Sequence, residues 1–210
     1  MHFITFEGCD GSGKTTQIKL LSNYLKDIRI DCVTTKEPGG TPLAEKIRTL
    51  LLTSEIEDSA TEFALLSAAR RDHLLTLIQP ALERKITVIC DRFLDSSLVY
   101  QGIKKGLDIN LMINIHQKLI SELEPSITFL LDIEPENIAK RFENNSRELN
   151  HYDLKPLSFH KSIREGFLLL AKKFPNRIII INANQDIDHV TKEIQNKISQ
   201  FLLTEPKNNS

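Results

Sequence analysis

Short apolar runs alternate with longer stretches whose apolar positions recur at helical spacing. HFITF (2–6), CVTT (32–35), ITVIC (86–90), ITFLLDI (127–133) and RIIIIN (177–182) are rich in Ile, Val, Thr and Phe. Such runs suit strands. Apolar residues at successive positions suit a parallel sheet covered on both faces. Between these runs, residues 14–28 place Ile18, Leu21 and Leu25 on one helical face. Residues 41–52 open with Thr41 as a cap and Pro42 at the first helical position. Residues 59–84 open with a capping box, Ser59 to Glu62, and Pro80 is expected to kink or loosen that long helix near its end. Further helices are expected at 108–122, 135–143, 157–173 and 186–202. The alternation predicts a three-layer α/β fold with a five-stranded parallel sheet and right-handed crossovers. One domain is expected over 1–203. The polar stretch NNSRELNHYDLKP (144–156) reads as a mobile loop between two helices, and TEPKNNS (204–210) as a flexible tail.

The first strand runs into GCDGSGKTT (8–16). Gly8, Gly13, Lys14 and Thr15 complete the pattern G-x-x-x-x-G-K-[ST] of a phosphate-binding loop. Glycines let the backbone curl until successive N–H groups point at one anion. The helix beginning at Lys14 adds its positive end. Lys14 is placed to reach β- and γ-phosphates, and the Thr15 hydroxyl to ligate Mg²⁺. The loop as a whole, Gly8, Cys9, Asp10, Gly11, Ser12, Gly13, Lys14, Thr15 and Thr16, is the candidate ATP-phosphate site. This makes the expected architecture a P-loop NTPase fold.

A second strand ends in ITVICDR. An aspartate at the end of an apolar strand, Asp91, is the second mark of such a site, holding Mg²⁺ directly or through water. A bare helix cap is its other reading. Arg92 follows at the carboxyl end of the strand, where ligands of open α/β sheets bind, and a guanidinium there suits a phosphate. A surface salt bridge is the other reading.

Composition narrows the partners. The 210 residues carry a net charge of −1, with 40% hydrophobic and 26% charged residues. Nothing in that balance draws nucleic acid or anionic lipid, so any anion site is local. Cys9, Cys32 and Cys90 are an odd count without CxxC spacing, which argues against a disulfide framework and for a reducing compartment. No signal-peptide pattern is expected at the N-terminus, and no apolar run approaches the roughly 18 residues needed to span a membrane. A cytoplasmic protein is expected.

A GTPase would read guanine with N-K-x-D; the only Asn-Lys pair, Asn196-Lys197, continues Ile198-Ser199. A kinase needs a second anion pocket facing the loop and a closing element bearing cations. Arg92 and the arginines flanking 144–156 fit both.

The stretches FEGCDGSGKTTQ (6–17), KEPGGTPLAEKIRTLL (36–51), AARRDHLLTLIQPAL (68–82), CDRFLDSSLVYQG (90–102), FLLDIEPE (129–136) and NSRELN (145–150) resemble the bacterial thymidylate kinase family over nearly the whole chain. EPGGTPLAE and DRFxDSSLxYQG are the most discriminating. The resemblance implies transfer of the ATP γ-phosphoryl to dTMP with Mg²⁺, in a homodimer packed through helices around 59–84 and 108–122. It implies that Asp10 accepts the 3′-hydroxyl of the acceptor and that Lys36, Glu37 and Pro38 belong to the acceptor-side loop. Arg70 would donate to a thymine carbonyl, Arg48 would shape the pocket floor, and Arg92 would hold the acceptor phosphate. Ser97 and Gln101 would bond the pyrimidine edge, and Tyr100 would pack where a ribose 2′-hydroxyl would go. The residues NANQDI (182–187) would read the adenine through their backbone.

Two departures stand out. The fourth loop position is Gly11, so the loop offers no arginine, and a lid at about 142–156 must supply the catalytic cation. Arg147 is the candidate, supported by Arg141, with His151 as a pH-sensitive alternative. Leu66 stands where relatives commonly carry Phe, so an aromatic face against the base is lost unless Phe93 or Phe63 supplies one. Another nucleoside monophosphate kinase, or a P-loop module that binds without turnover, remain open as alternatives.

Overall fold

The computed structural model describes residues 1–143 and 155–204. Five strands, β1 (Phe3–Glu7), β2 (Cys32–Lys36), β3 (Thr87–Asp91), β4 (Ile127–Asp132) and β5 (Ile178–Asn182), form one sheet in the order β2-β3-β1-β4-β5. Every pairing is parallel. The three central strands are nearly all buried, as their apolar runs predict. The edge strands β2 and β5 are half-exposed, because only one neighbour and part of each face cover them. Side chains alternate across the sheet. Phe3, Val88 and Cys90 pack with Leu74 and Ile78, while Ile4, Phe6 and Ile89 pack with Ile18, Leu21 and Leu25.

The helices are α1 (Lys14–Asp27), α2 (Pro42–Thr53), α3 (Ser59–His73), α4 (Gln79–Glu83), α5 (Leu94–Ser97), α6 (Ile109–Ile115), α7 (Pro135–Glu143), α8 (Leu157–Lys173) and α9 (Ile187–Thr204). Three π-helical segments follow on from them: Leu74–Ile78 links α3 to α4, while Leu98–Lys104 extends α5 and His116–Ile120 extends α6. Thr41 caps α2 as expected, its hydroxyl oxygen accepting from the Ala44 N–H at 3.2 Å. The cap of α3 is Asp58, one residue before the expected Ser59; its carboxylate accepts from the Thr61 N–H at 2.7 Å. Glu62 is therefore released from capping and pairs with Lys105 Nζ at 2.7 Å. The helix expected over 59–84 continues from α3 through a π segment into α4. Pro80 lies in the first turn of α4, and its missing N–H suits the wider hydrogen-bond spacing just before it. The helix from Leu94 to Lys104 has no clear sequence signal, because Val99, Tyr100 and Ile103 are poor helix formers.

Among the described residues, no helix is long and apolar enough to cross a membrane. Most of the stretch 144–156, with Arg147 and His151, and all but the first residue of the 204–210 tail lie outside the described residues.

Candidate active site

The curl between β1 and α1 sits at the carboxyl edge of the central strand. Gly8 has φ +131°, and a Cβ there would come within 2.6 Å of the Leu131 carbonyl oxygen. Only glycine fits that approach. Gly13, at φ +99°, turns the chain into α1. Lys14 is buried, and its Nζ donates to the Gly8 and Cys9 carbonyls at 3.0 Å each. Burial lowers its pKa and Arg92 adds to the effect, while Asp91 and Asp10 oppose it. The ammonium is thus folded over the loop whose N–H groups it complements.

The Thr15 hydroxyl donates to Asp91 Oδ2 at 3.2 Å, and Asp91 Oδ1 is buried without a hydrogen-bond partner among the described residues. A hydroxyl and a carboxylate with an unused oxygen are hard donors suited to Mg²⁺. Among the described residues no group of three or more His, Cys, Asp or Glu could hold a metal ion. A cation at Thr15 and Asp91 would therefore need nucleotide oxygens to complete its shell.

Arg92 leaves the end of β3 with φ +69°. That left-handed turn aims its side chain back across the loop. Nη2 donates to Asp10 Oδ1 at 2.7 Å and Nη1 to Ser96 Oγ at 2.8 Å, and the guanidinium lies 5.5 Å from the Tyr100 ring centroid. Burial works against its charge, but Asp10, Tyr100, Glu7 and Asp91 outweigh that and raise its pKa.

The turn is held by Glu7, which the sequence reading did not single out. Its Oε1 accepts from the Phe93 and Ser96 N–H groups at 2.8 and 3.2 Å, and its Oε2 from the Ser96 hydroxyl at 2.6 Å. Burial pushes its pKa up to about 7 and Asp95 adds to the rise, against Arg92, Ser96 and Phe93. Its signal in the sequence is a carboxylate closing a fully apolar strand, a group that must find donors once buried.

Beside Arg92 lies a pocket of about 170 Å³ lined by Glu37, Pro38, Arg48, Leu66, Arg70 and Phe93, with Ser97, Tyr100 and Gln101 on its helical wall. Arg70 is buried, its Nε donating to Glu37 Oε2 at 2.7 Å and its Nη2 to Phe93 O and Ser97 Oγ at 3.2 and 3.0 Å. Arg70 Nη1 and Gln101 Oε1 are buried without partners among the described residues. One unmatched donor and one unmatched acceptor on a pocket wall are what a planar amide edge would satisfy. Ser97 accepts from Arg70 rather than standing alone. Glu37 stays ionised: burial opposes its charge, and Arg70 and His73 overcome it, lowering its pKa. Arg48 Nη1 donates to the Pro38 carbonyl at 3.0 Å, tying α2 to the turn after β2. Of the two rings offered in place of an aromatic at Leu66, Phe93 lines the pocket beneath Arg70 at 5.2 Å, whereas Phe63 is buried in the core.

A larger cleft of about 910 Å³ lies on the other side of the loop. Residues 10–17, Asp91 and Arg141 line it, and Ala183, Gln185, Asp186 and Ile187 close its far end. Lys36 lines its near side, with Nζ 3.7 Å from Glu45 Oε1. Arg141 donates to the Gly11, Ser12 and Ala183 carbonyls at 3.2, 3.1 and 2.6 Å. It thus binds the loop to the segment after β5, and burial lowers its pKa. Asp10, Glu37, Arg48 and Arg92 line both cavities, so the two meet at Arg92.

The family model described as Thymidylate kinase matches residues 6–194. This chain belongs to the thymidylate kinase family. It is 46% identical over 196 residues to a thymidylate kinase of Clostridium novyi, covering 92% of this chain and 96% of the relative. It is 42% identical over 204 residues to one of Bacillus mycoides, covering 96% and 98%. The solved structure of a thymidylate kinase from Ehrlichia chaffeensis has the same fold, with a TM-score of 0.74 and 37% identity over 94% of this chain and 98% of that one. The family match spans the loop, Arg92, the pocket at Arg70 and the segment after β5.

Proposed function

We propose that this protein transfers the γ-phosphoryl group of ATP to dTMP, giving ADP and dTDP. The observation that carries the reading is the pair of cavities meeting at Arg92, with the phosphate loop on one side and unmatched Arg70 Nη1 and Gln101 Oε1 on the other. ATP takes the larger cleft, its phosphates against the loop N–H groups and Lys14 and its base toward residues 183–187. The acceptor takes the smaller pocket, its phosphate against Arg92 and its 3′-hydroxyl against Asp10. Arg70 donates to a ring carbonyl and Gln101 accepts from the ring N–H. Tyr100 closes the space a 2′-hydroxyl would need.

Mg²⁺, held by Thr15 and Asp91 together with phosphate oxygens, would neutralise charge building on the transferred group. Lys14 and Arg92 bring two polyanions end to end and offset their repulsion. The attacking group is already an anionic phosphate oxygen, so no side chain need remove a proton. Arg147, outside the described residues, is the proposed further cation at the transferred group; Arg141, with three carbonyls to hold, supports the loop. The protein is also proposed to pair with a second copy through the faces of α3 to α4 and α6.

A coupled ADP-release assay over dTMP, dUMP, CMP and UMP tests the reading; dTMP is expected to be the best acceptor. Lys14→Met is expected to lower kcat by a factor of about 100 or more, given typical losses when one transition-state charge is removed, with an unchanged circular dichroism spectrum. Normal turnover in that variant would remove the phosphate site from the mechanism.

A further inference from the structure

His73 lies at the end of α3, fully buried and outside the lining of either cavity. Its Nδ1 is 3.1 Å from Glu37 Oε1 and its Nε2 is 2.7 Å from Thr35 Oγ1. The turn after β2 passes directly over the ring: a Cβ on Gly40 would lie 2.6 Å from His73 Nε2. One residue earlier on the helix, Asp72 Oδ2 accepts from the Thr41 hydroxyl. Helix α3 therefore grips this turn at Glu37, Gly40 and Thr41, and Arg70 projects from the same helix into the pocket.

The division of the Glu37 carboxylate is the informative detail. A carboxylate beside a guanidinium favours two parallel N–H bonds, and Nε with Nη2 form one such edge. Here Glu37 gives Arg70 one oxygen only, Oε2 to Nε, while Oε1 goes to His73. Nη2 is left to Phe93 O and Ser97 Oγ, and Nη1 is left over. Without the imidazole, Oε1 would be buried and unpaired. Turning it to Nη2 would repair that, at the cost of the bonds to Phe93 and Ser97 that set the guanidinium plane.

We propose that His73 is a positioning residue for base selection: by occupying Glu37 Oε1 it keeps Arg70 oriented with Nη1 available to a carbonyl of the acceptor base. The proposal rests on the dTMP reading above. It makes base recognition depend on a side chain that touches neither substrate; because Glu37 also borders the larger cleft, the kinetics toward ATP are the control.

The test uses the full chain with His73→Leu, which keeps apolar bulk and removes the donor, and His73→Asn, whose amide can restore a donor near the Nδ1 position. Steady-state kinetics are measured for dTMP, for ATP and for 5-methyl-dCMP, in which an amino group replaces the ring carbonyl. His73→Leu is expected to raise KM for dTMP about tenfold, the size of one lost charge-assisted hydrogen bond. KM for ATP is expected to stay within about twofold, and the kcat/KM ratio of dTMP to 5-methyl-dCMP to narrow about tenfold on the same basis. His73→Asn is expected to recover most of that ratio. An unchanged ratio in His73→Leu overturns the proposal, as do equal losses toward dTMP and ATP, or an Asn variant no better than Leu. If His73→Leu does not fold, His73→Gln, which can keep the Thr35 contact, takes its place against the same outcomes. If the wild-type protein itself does not transfer phosphate to dTMP, the functional reading fails first and the proposal falls with it.

Discussion

Glu7 is a residue whose charge depends on the fold. An unfolded glutamate titrates near 4.5, and in the folded protein Glu7 is raised to about 7, chiefly by burial. Between those values the folded state holds a proton that the unfolded chain has lost. Its contribution to stability is therefore fully present below about pH 4.5 and disappears as pH rises through about 7. Urea unfolding of wild type and Glu7→Gln across pH 4.5–8 is expected to show the wild type losing up to about 3 kcal/mol relative to the variant. A parallel pair of curves would mean that Glu7 is ionised throughout. At this scale the sequence was readable where chemistry follows spacing: Gly8, Gly13, Lys14 and Thr15 announce themselves within eight positions. Glu7 and His73 were not, because their roles come from partners far along the chain. His73 meets Thr35 and Glu37 across 38 and 36 positions, and no local pattern records that.

The short helix α5 and the π segment after it carry Ser97, Tyr100 and Gln101, and their seating depends on a buried ion pair. Asp95 accepts from Arg177 Nη1 and Nη2 at 2.6 and 2.8 Å, and Arg177 Nη1 also donates to Thr128 Oγ1 at 2.8 Å. The pair ties α5 to β4 and to the start of β5. On the other side, α8 presents Gly166, where a Cβ would come within 2.9 Å of Val99 Cγ1. The acceptor helix is thus anchored from two directions by elements distant in sequence. Asp95→Asn is expected to lower the unfolding free energy by about 3 kcal/mol, the usual loss when one partner of a buried pair is neutralised, measured by urea denaturation at pH 7. A loss under 1 kcal/mol would mean the helix is seated by packing alone. Strands and long helices were legible from hydrophobic period. This helix was not, because Val99, Tyr100 and Ile103 are β-branched or aromatic, Gly102 interrupts the run, and tertiary anchoring supplies what propensity lacks.

For the whole molecule, exposed large apolar side chains are spread from Met1 to Leu203, and three of them bear on the proposed pairing. Leu75 follows α3, and Leu111 and Leu119 lie on α6 and the π segment after it; they are 48%, 49% and 69% exposed. These are the helices proposed to meet a second copy. Sedimentation equilibrium is expected to give twice the 24.0 kDa chain mass, and Leu119→Glu to shift the population toward single chains. A wild-type monomer at micromolar concentration would end that proposal. The strand order has a wider consequence. With β1 in the middle, the smaller pocket is built almost wholly from the β2–β3 flank, while the larger cleft is floored by the loop after β1, closed by Arg141 and the segment after β5, and shares Glu37, Arg48 and Arg92 with the pocket. Substitutions at Leu66 or Gln101 can therefore reshape the smaller pocket without altering the lining of the larger cleft, whereas any change at Asp10, Glu37, Arg48 or Arg92 faces both sides of the seam at once.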